Sequence, residues 1–250
     1  MKETQIDTKE TLFTQLNLPR EVLKGIESAG FTHCTPIQSL ALPMTLKGTD
    51  IAAQAQTGTG KTATFLITIF CHLLKRSAPK GRGPRALVIA PTRELAVQIC
   101  EEAKLLGSHT NFRVLPIFGG IDYLKQQEDL KSGTDIVVAT PGRLIDYMKQ
   151  KVFDPSKVQI LVIDEADRLF DMGFIKDLRF IVRRLPPYTK RQSMLFSATL
   201  SYAVMELAYE YMNNPEEVHA GPESVTVEEI DQVLYHVGKG EKLNLLLGLL

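Results

Sequence analysis

Eight consecutive residues, Ala55-Gln56-Thr57-Gly58-Thr59-Gly60-Lys61-Thr62, match the phosphate-binding pattern G-x-x-x-x-G-K-[ST], with Ala55 at the first glycine. Glycines at 58 and 60 let the backbone wrap closely enough for consecutive N–H groups to face phosphate oxygens. Lys61 is spaced to reach the β- and γ-phosphates and the Thr62 hydroxyl to ligate Mg2+, while the following helix adds its N-terminal dipole. The plainer alternative is a glycine-rich turn that only joins a strand to a helix; by chance the pattern arises in roughly a few per cent of chains this long. A second set, Asp164-Glu165-Ala166-Asp167, follows the apolar run Leu161-Val162-Ile163. An apolar strand that carries acids to its C-terminal end suits a magnesium–nucleotide site, with Asp164 holding the metal through water. Glu165 would orient or deprotonate the attacking water. Alone, such acids more often mark a solvated helix N-terminus, where negative charge is favoured.

These residues can meet only if the elements around them share an edge. Short apolar runs recur at Asp50–Ala53, Ala86–Ala90, Val114–Phe118, Asp135–Ala139, Ile160–Ile163 and Met194–Phe196. Their apolar residues run on rather than alternate, which predicts strands buried on both faces. Helical patterns lie between and after them, at Thr62–Lys75, Arg93–Gly107, Tyr123–Lys131, Leu144–Lys149 and Lys176–Arg184. Strand alternating with helix predicts an α/β fold, a mostly parallel central sheet with helices on both faces. Each strand is followed by a polar or glycine-containing cluster: Gln54–Lys61, Pro91-Thr92-Arg93, Gly119-Gly120, Thr140-Pro141-Gly142-Arg143, Asp164–Asp167 and Ser197-Ala198-Thr199. In a parallel sheet these clusters line one edge, the one at which open α/β folds bind ligands.

Composition sets outer bounds. The 250 residues carry 29 Lys+Arg and 29 Asp+Glu, so bulk charge does not hold this chain to nucleic acid or membrane, although a local basic track is still allowed. At 44% hydrophobic residues, disorder is excluded and a large core is expected. Cys34, Cys71 and Cys100 lack zinc-site spacing and are too few for a disulfide framework, and the five histidines form no ligand cluster. The polar start MKETQIDTKE and the absence of a long apolar run predict a soluble, cytoplasmic protein. Near Ala220 the chain turns into a linker, Gly221-Pro222-Glu223-Ser224 followed by Glu228, Glu229 and Asp231. After it come a candidate strand, Gln232–Val237, and an apolar helix start, Glu241–Leu250. The division expected is residues 1–220 as one domain and 221–250 as linker plus the first elements of an incomplete second domain.

Asp164-Glu165-Ala166-Asp167, with AQTGTGKT before it and Ser197-Ala198-Thr199 after it, resembles the DEAD-box RNA helicases, and the likeness covers nearly the whole chain. It extends to Gly30–Gln38 with Phe13 upstream, to PTRELA (Pro91–Ala96), to Gly119-Gly120 and to Thr140–Arg143. The runs Gly173–Asp177, Met194–Tyr202 and Met212–Asn214 look most like the branch found in the bacterial RNA degradosome. The resemblance implies a RecA-like domain that uses ATP and Mg2+ to bind RNA and separate short duplexes, with ribonuclease E as a partner through a second domain. That second domain would also carry the arginines that reach the γ-phosphate, so the chain alone is expected to bind nucleotide and hydrolyse it poorly.

The residue chemistry agrees with these roles to different degrees. The Gln38 amide can donate and accept at once, which matches the N6 and N7 edge of adenine and disfavours guanine. Phe31 is suited to stack on the base, although a lone Phe is more often a core residue. Arg93, Arg143, Thr92 and Thr140 can contact phosphates, and Gly119, Gly120 and Gly142 permit close backbone approach; with Pro91 and Pro141 of the same clusters they are the expected RNA-binding residues. No aromatic ladder interleaves with basic residues, so backbone contacts without sequence preference are expected, with RNA chosen through its 2′-hydroxyl. For Thr140–Arg143 a type I turn before a helix is an equal alternative. Ser197 and Thr199 are suited to cap the next helix and, as the resemblance implies, to link Asp167 to RNA engagement; the two roles are compatible. Two rival functions are a nucleotide-regulated RNA- or protein-binding module, which has no need of Glu165, and a small-molecule kinase, which has no use for Gln38 or Thr140–Arg143.

Overall fold

The computed structural model describes residues 11–76, 83–120, 123–220, 233, 235–238 and 240–249. Among the described residues seven strands form one sheet: β1 (Ile51–Ala55), β2 (Ala86–Ile89), β3 (Val114–Ile117), β4 (Ile136–Ala139), β5 (Ile160–Ile163), β6 (Gln192–Ser197) and β7 (Glu216–Ala220). Their order is β3-β4-β2-β5-β6-β1-β7, and every pairing is parallel. The expected α/β class is therefore found, with a wholly parallel sheet.

Side chains alternate across each strand, which explains why the apolar runs are continuous. Ile51, Ala53, Val88, Val162, Met194 and Phe196 enter the core on one face, under α1 (Arg20–Ser28), α2 (Pro36–Thr45), α3 (Lys61–Lys75) and α4 (Arg93–Leu106). Ala52, Leu87, Ile89, Leu161, Ile163 and Leu195 enter the opposite core. That face is covered by α5 (Tyr123–Lys131), α6 (Pro141–Lys149), α7 (Ala166–Asp171), α8 (Ile175–Val182) and α9 (Tyr202–Tyr211). A final helix, α10 (Lys242–Leu249), lies within the predicted Glu241–Leu250 pattern. Among the described residues no helix is long and apolar enough to cross a membrane.

Several boundaries differ from the pattern. Asp50 does not open β1; its carboxylate accepts from the backbone N–H of Ser193 and Asn213, each at 2.8 Å, and so clamps the starts of β1, β6 and β7 together. Strand β7 escaped notice because only Val218 in it is buried. Helix α6 starts at Pro141, where a proline fits the first helical position, so Pro141–Arg143 is the first turn of a helix and not a type I turn before one. Helices α1, α2, α7 and α9 were not foreseen. The predicted linker at 221–231 lies outside the described residues, as do Gln232 and Leu234; Val233 and Tyr235–Val237 form no strand.

Candidate active site

The sheet order sorts the six strand-end clusters into two neighbouring groups. Strands β5, β6 and β1 are adjacent and deliver the acidic cluster, Ser197-Ala198-Thr199 and the glycine-rich loop; β3, β4 and β2 are adjacent and deliver the three clusters expected to touch RNA.

In the glycine-rich loop, Ala55 pairs in register with Ala220 as the last residue of β1, an extended position where no glycine is needed. Gly60 has φ +93° and precedes the first turn of α3. A Cβ there would lie 2.5 Å from Gln38 Nε2, so both conformation and space demand glycine. Lys61 is 6% exposed, and its Nζ donates to the Ala55 carbonyl at 3.0 Å, drawing the two ends of the loop together. Thr59 Oγ1 donates to the Gln56 carbonyl at 2.7 Å, leaving Gln56, Thr57 and Gly58 on the exposed crest. Gln38 is buried; its Oε1 accepts from Thr35 N at 2.8 Å and its Nε2 donates to the Gly60 carbonyl at 3.2 Å. This ties the start of α2 to the loop, and one amide hydrogen and one lone pair remain for a base edge. Of the two expected aromatics, Phe13 is core at 2% exposure, whereas Phe31 is 38% exposed and lines the cleft over the loop.

That cleft has a volume of about 390 Å³, and Thr57, Lys61, Thr62, Asp164 and Glu165 all line it. Asp164 is 2% exposed; Oδ1 accepts from Glu165 N at 2.9 Å, and the other oxygen makes no hydrogen bond among the described residues. Burial pushes its carboxyl up to about 6 despite the opposing pull of the Lys61 ammonium. Glu165 sits at φ 47°, ψ 54°, a left-handed conformation that costs a non-glycine residue about 1–2 kcal/mol. The bend turns its side chain toward Arg168, whose Nη1 lies 3.2 Å from Oε2. Sequence reasoning missed Gln98 and Glu102, which α4 also presents to the cleft. Their spacing of four on one helix was the available signal. Burial and then the Asp164 charge raise the Glu102 carboxyl above its ordinary value.

Ser197 is fully buried, and its Oγ accepts from Asp167 N at 3.1 Å; Asp167 Oδ2 in turn accepts from Ala198 N at 3.2 Å. The acidic strand end and the end of β6 are thus joined by two bonds. The capping role expected of Ser197 and Thr199 fails: Ser201 Oγ accepts from Val204 N to cap α9, and Thr199 is exposed with no hydrogen bond among the described residues.

On the other half of the edge, Arg93 Nη1 donates to the Gly119 carbonyl at 2.9 Å. Gly120, at φ +87°, leaves the space this guanidinium fills, since a Cβ there would lie 2.1 Å from Arg93 Nη1. Thr92 caps α4 by accepting from Leu95 N at 3.2 Å. The Arg143 guanidinium stacks over Tyr123 at 5.0 Å and Tyr147 at 5.7 Å. Its Nη1 is buried without a partner. Pro91 and Pro141, expected among the RNA contacts, are buried and shape the turns; Arg93, Gly120 and Gly142 are exposed, with Thr92, Gly119, Thr140 and Arg143 half-buried.

The DEAD/DEAH box helicase profile matches residues 35–207. The chain is similar to an ATP-dependent RNA helicase RhlB of Pseudoalteromonas atlantica, 51% identical over 241 residues, covering 96% of this chain and 57% of the relative. A protein of the same name from Xanthomonas axonopodis pv. citri is 52% identical over 245 residues, with 96% of this chain and 43% of the relative covered. The chain therefore spans about half the length of these curated relatives. Among solved structures, a DEAD box protein from Methanococcus jannaschii superposes with a TM-score of 0.78 at 33% identity, over 95% of this chain and 62% of that one. A hypothetical ATP-dependent RNA helicase from Sulfolobus tokodaii gives 0.72 at 35% identity, over 82% and 57%.

Proposed function

The chain belongs to the DEAD/DEAH box helicase family, and from that premise we propose that it is the nucleotide-binding part of an ATP-dependent RNA helicase that separates short duplexes. The observation that carries this reading is the convergence of Lys61, Thr62, Asp164 and Glu165 on one cleft, with Asp167 bonded onward to the end of β6.

Phe31 stacks on adenine and Gln38 reads its edge. The backbone of residues 57–60 and Lys61 hold the phosphates, and Glu165 takes the proton of the attacking water. Thr62 and Asp164 suit Mg2+: the carboxylate is buried with one oxygen free of hydrogen bonds, and the Lys61 ammonium alone does not offset its burial, whereas a divalent ion would. When bound, the ion neutralises phosphate charge. Thr92, Arg93, Gly119, Gly120, Thr140, Gly142 and Arg143 contact the RNA backbone, held in place by Pro91 and Pro141. Asp167 and Ser197 carry the coupling between the two ligands, with Thr199 beside them.

Residues 1–220 form the first domain, and 221–250 the linker and start of a second. Hydrolysis by the chain alone is slow without the arginine contribution of that second domain, which in related phosphoryl transfer is worth on the order of 10³–10⁵ in rate. The likeness to the degradosome branch supports cytoplasmic RNA turnover alongside ribonuclease E. The test is ATP turnover by the full-length protein with and without single-stranded RNA, beside Glu165→Gln. Strong stimulation abolished by the substitution is expected; turnover indifferent to RNA overturns the reading in favour of a nucleotide-regulated binding module.

A further inference from the structure

At the opposite edge of the sheet, where β1 and β6 begin, two adjoining clefts of about 110 and 380 Å³ share Gly48, His72 and Arg76. Strand β1 puts this edge roughly 15 Å from the nucleotide cleft, at about 3.3 Å per residue. Exposed cations reach it from three separate segments: Lys47 from the α2–β1 connection, Lys75 and Arg76 from the end of α3, and Lys190 from the turn before β6. None of the four has an ion pair or side-chain hydrogen bond among the described residues.

The neighbouring charges are already spent. Both oxygens of Asp50 are occupied by the Ser193 and Asn213 N–H groups. Arg191 is taken up by Ser193 Oγ and by the carbonyls of Pro186 and Tyr211. In the wall, Gln192 is only 4% exposed; Nε2 is fixed by the carbonyls of Thr45 and Thr49, and Oε1 has no partner. His72 Nε2 is likewise buried without one. Burial first, and then the Arg76 charge, push the His72 imidazole down to about 4 against the opposing pull of the neighbouring Gln192 side chain, with Arg85 and Lys75 adding to the fall. Complementing the α3 dipole accounts for Lys75 and Arg76; it does not account for Lys47 and Lys190, which lie on other segments of a chain with no net charge.

The geometry points to an accessory phosphate-binding cleft, formed by Lys47, Lys75, Arg76 and Lys190, that takes phosphate groups of an RNA strand or a free polyphosphate outside the site described above. Lysine-rich contacts of this kind hold phosphates as point charges, without sequence preference.

The test combines Lys47→Ala, Arg76→Ala and Lys190→Ala in the 250-residue chain; all three side chains are exposed, so folding is preserved. Affinity is measured against salt for oligouridylates of about 6 and about 25 nucleotides, the shorter filling one binding track only. Backbone amide shifts at Gly48 and Lys190 are followed with inorganic triphosphate while a non-hydrolysable ATP analogue saturates the glycine-rich loop. For an RNA ligand, the long oligomer weakens roughly tenfold and its salt slope falls by about 2, near 0.7 per lost phosphate contact, while the short one is unchanged. For a free polyphosphate, RNA binding is unchanged, and triphosphate moves both amides in the parent chain but not in the variant. Equal weakening of both oligomers, or no change in either measurement, overturns the proposal.

Discussion

The Ser197 hydroxyl is the narrowest point in the link between the acidic strand end and the end of β6, and Ser197→Ala tests it. The substitution removes an acceptor 3.1 Å from Asp167 N and leaves that N–H, one of the first-turn donors of α7 that no helical carbonyl reaches, facing a fully buried methyl group. Leaving a buried donor unmet costs about 1–2 kcal/mol. Asp167→Ala keeps that bond but removes the acceptors of Ala198 N and Arg168 N, together with a first-turn negative charge, again about 1–2 kcal/mol. Each change deletes a different bond, but the two residues are in contact, so their costs should depart from additivity by about 0.5–1 kcal/mol. Urea unfolding of the chain measures these costs. The functional readout is the ratio of RNA-stimulated to unstimulated ATP turnover in the full-length protein, expected to fall in both variants while ATP affinity holds. Ser201→Ala is the control: it uncaps α9 at a similar cost of about 1 kcal/mol but lies outside the link. A Ser201→Ala ratio as low as that of Ser197→Ala, or an unchanged ratio in Ser197→Ala, would refute the coupling role.

Gly25→Ala should destabilise the chain by about 1–3 kcal/mol although alanine favours helix, because its Cβ would lie 1.8 Å from the Leu106 carbonyl where α1 crosses α4; thermal unfolding checks this. Arg143→Lys keeps the charge but loses the planar stack on Tyr123 and Tyr147, so RNA affinity should drop severalfold and evenly across sequences in fluorescence anisotropy, and a loss confined to particular sequences would contradict backbone recognition. His72 is neutral in the folded chain down to about pH 4, against an ordinary value of 6.5. Below pH 6.5 the unfolded chain binds the extra proton first, so the stability held at neutral pH is lost as pH falls from 6.5 toward 4. His72→Gln should flatten the unfolding profile in that interval, and the imidazole proton resonances should titrate near 4.

Five of the six strands that were legible are almost wholly buried, and there the code is a run of apolar residues; β3, an edge strand with only Ile117 buried, was legible through its apolar run alone. Strand β7 shows the limit: as an edge strand it buries only Val218, and Glu216, Glu217 and His219 read as loop. The alignment of the polar clusters along one edge was legible too, since clusters that follow parallel strands must share an edge. Which clusters become neighbours was not, because it depends on β1 inserting between β6 and β7, a long-range choice made by packing. The pairing of β2 with β5 then marks the boundary between the group that holds the glycine-rich loop and the acidic cluster and the group of clusters expected to touch RNA. The insertion of β1 also brings the starts of β1, β6 and β7 under one carboxylate, Asp50, which the sequence offered only as the first residue of a strand. Strand β6 therefore takes part in both arrangements, in the acidic link with the end of β5 at its C-terminal end and in the edge that gathers Lys47, Arg76 and Lys190 at its start. No local pattern encodes either arrangement, because both are set by the order in which parallel strands pair.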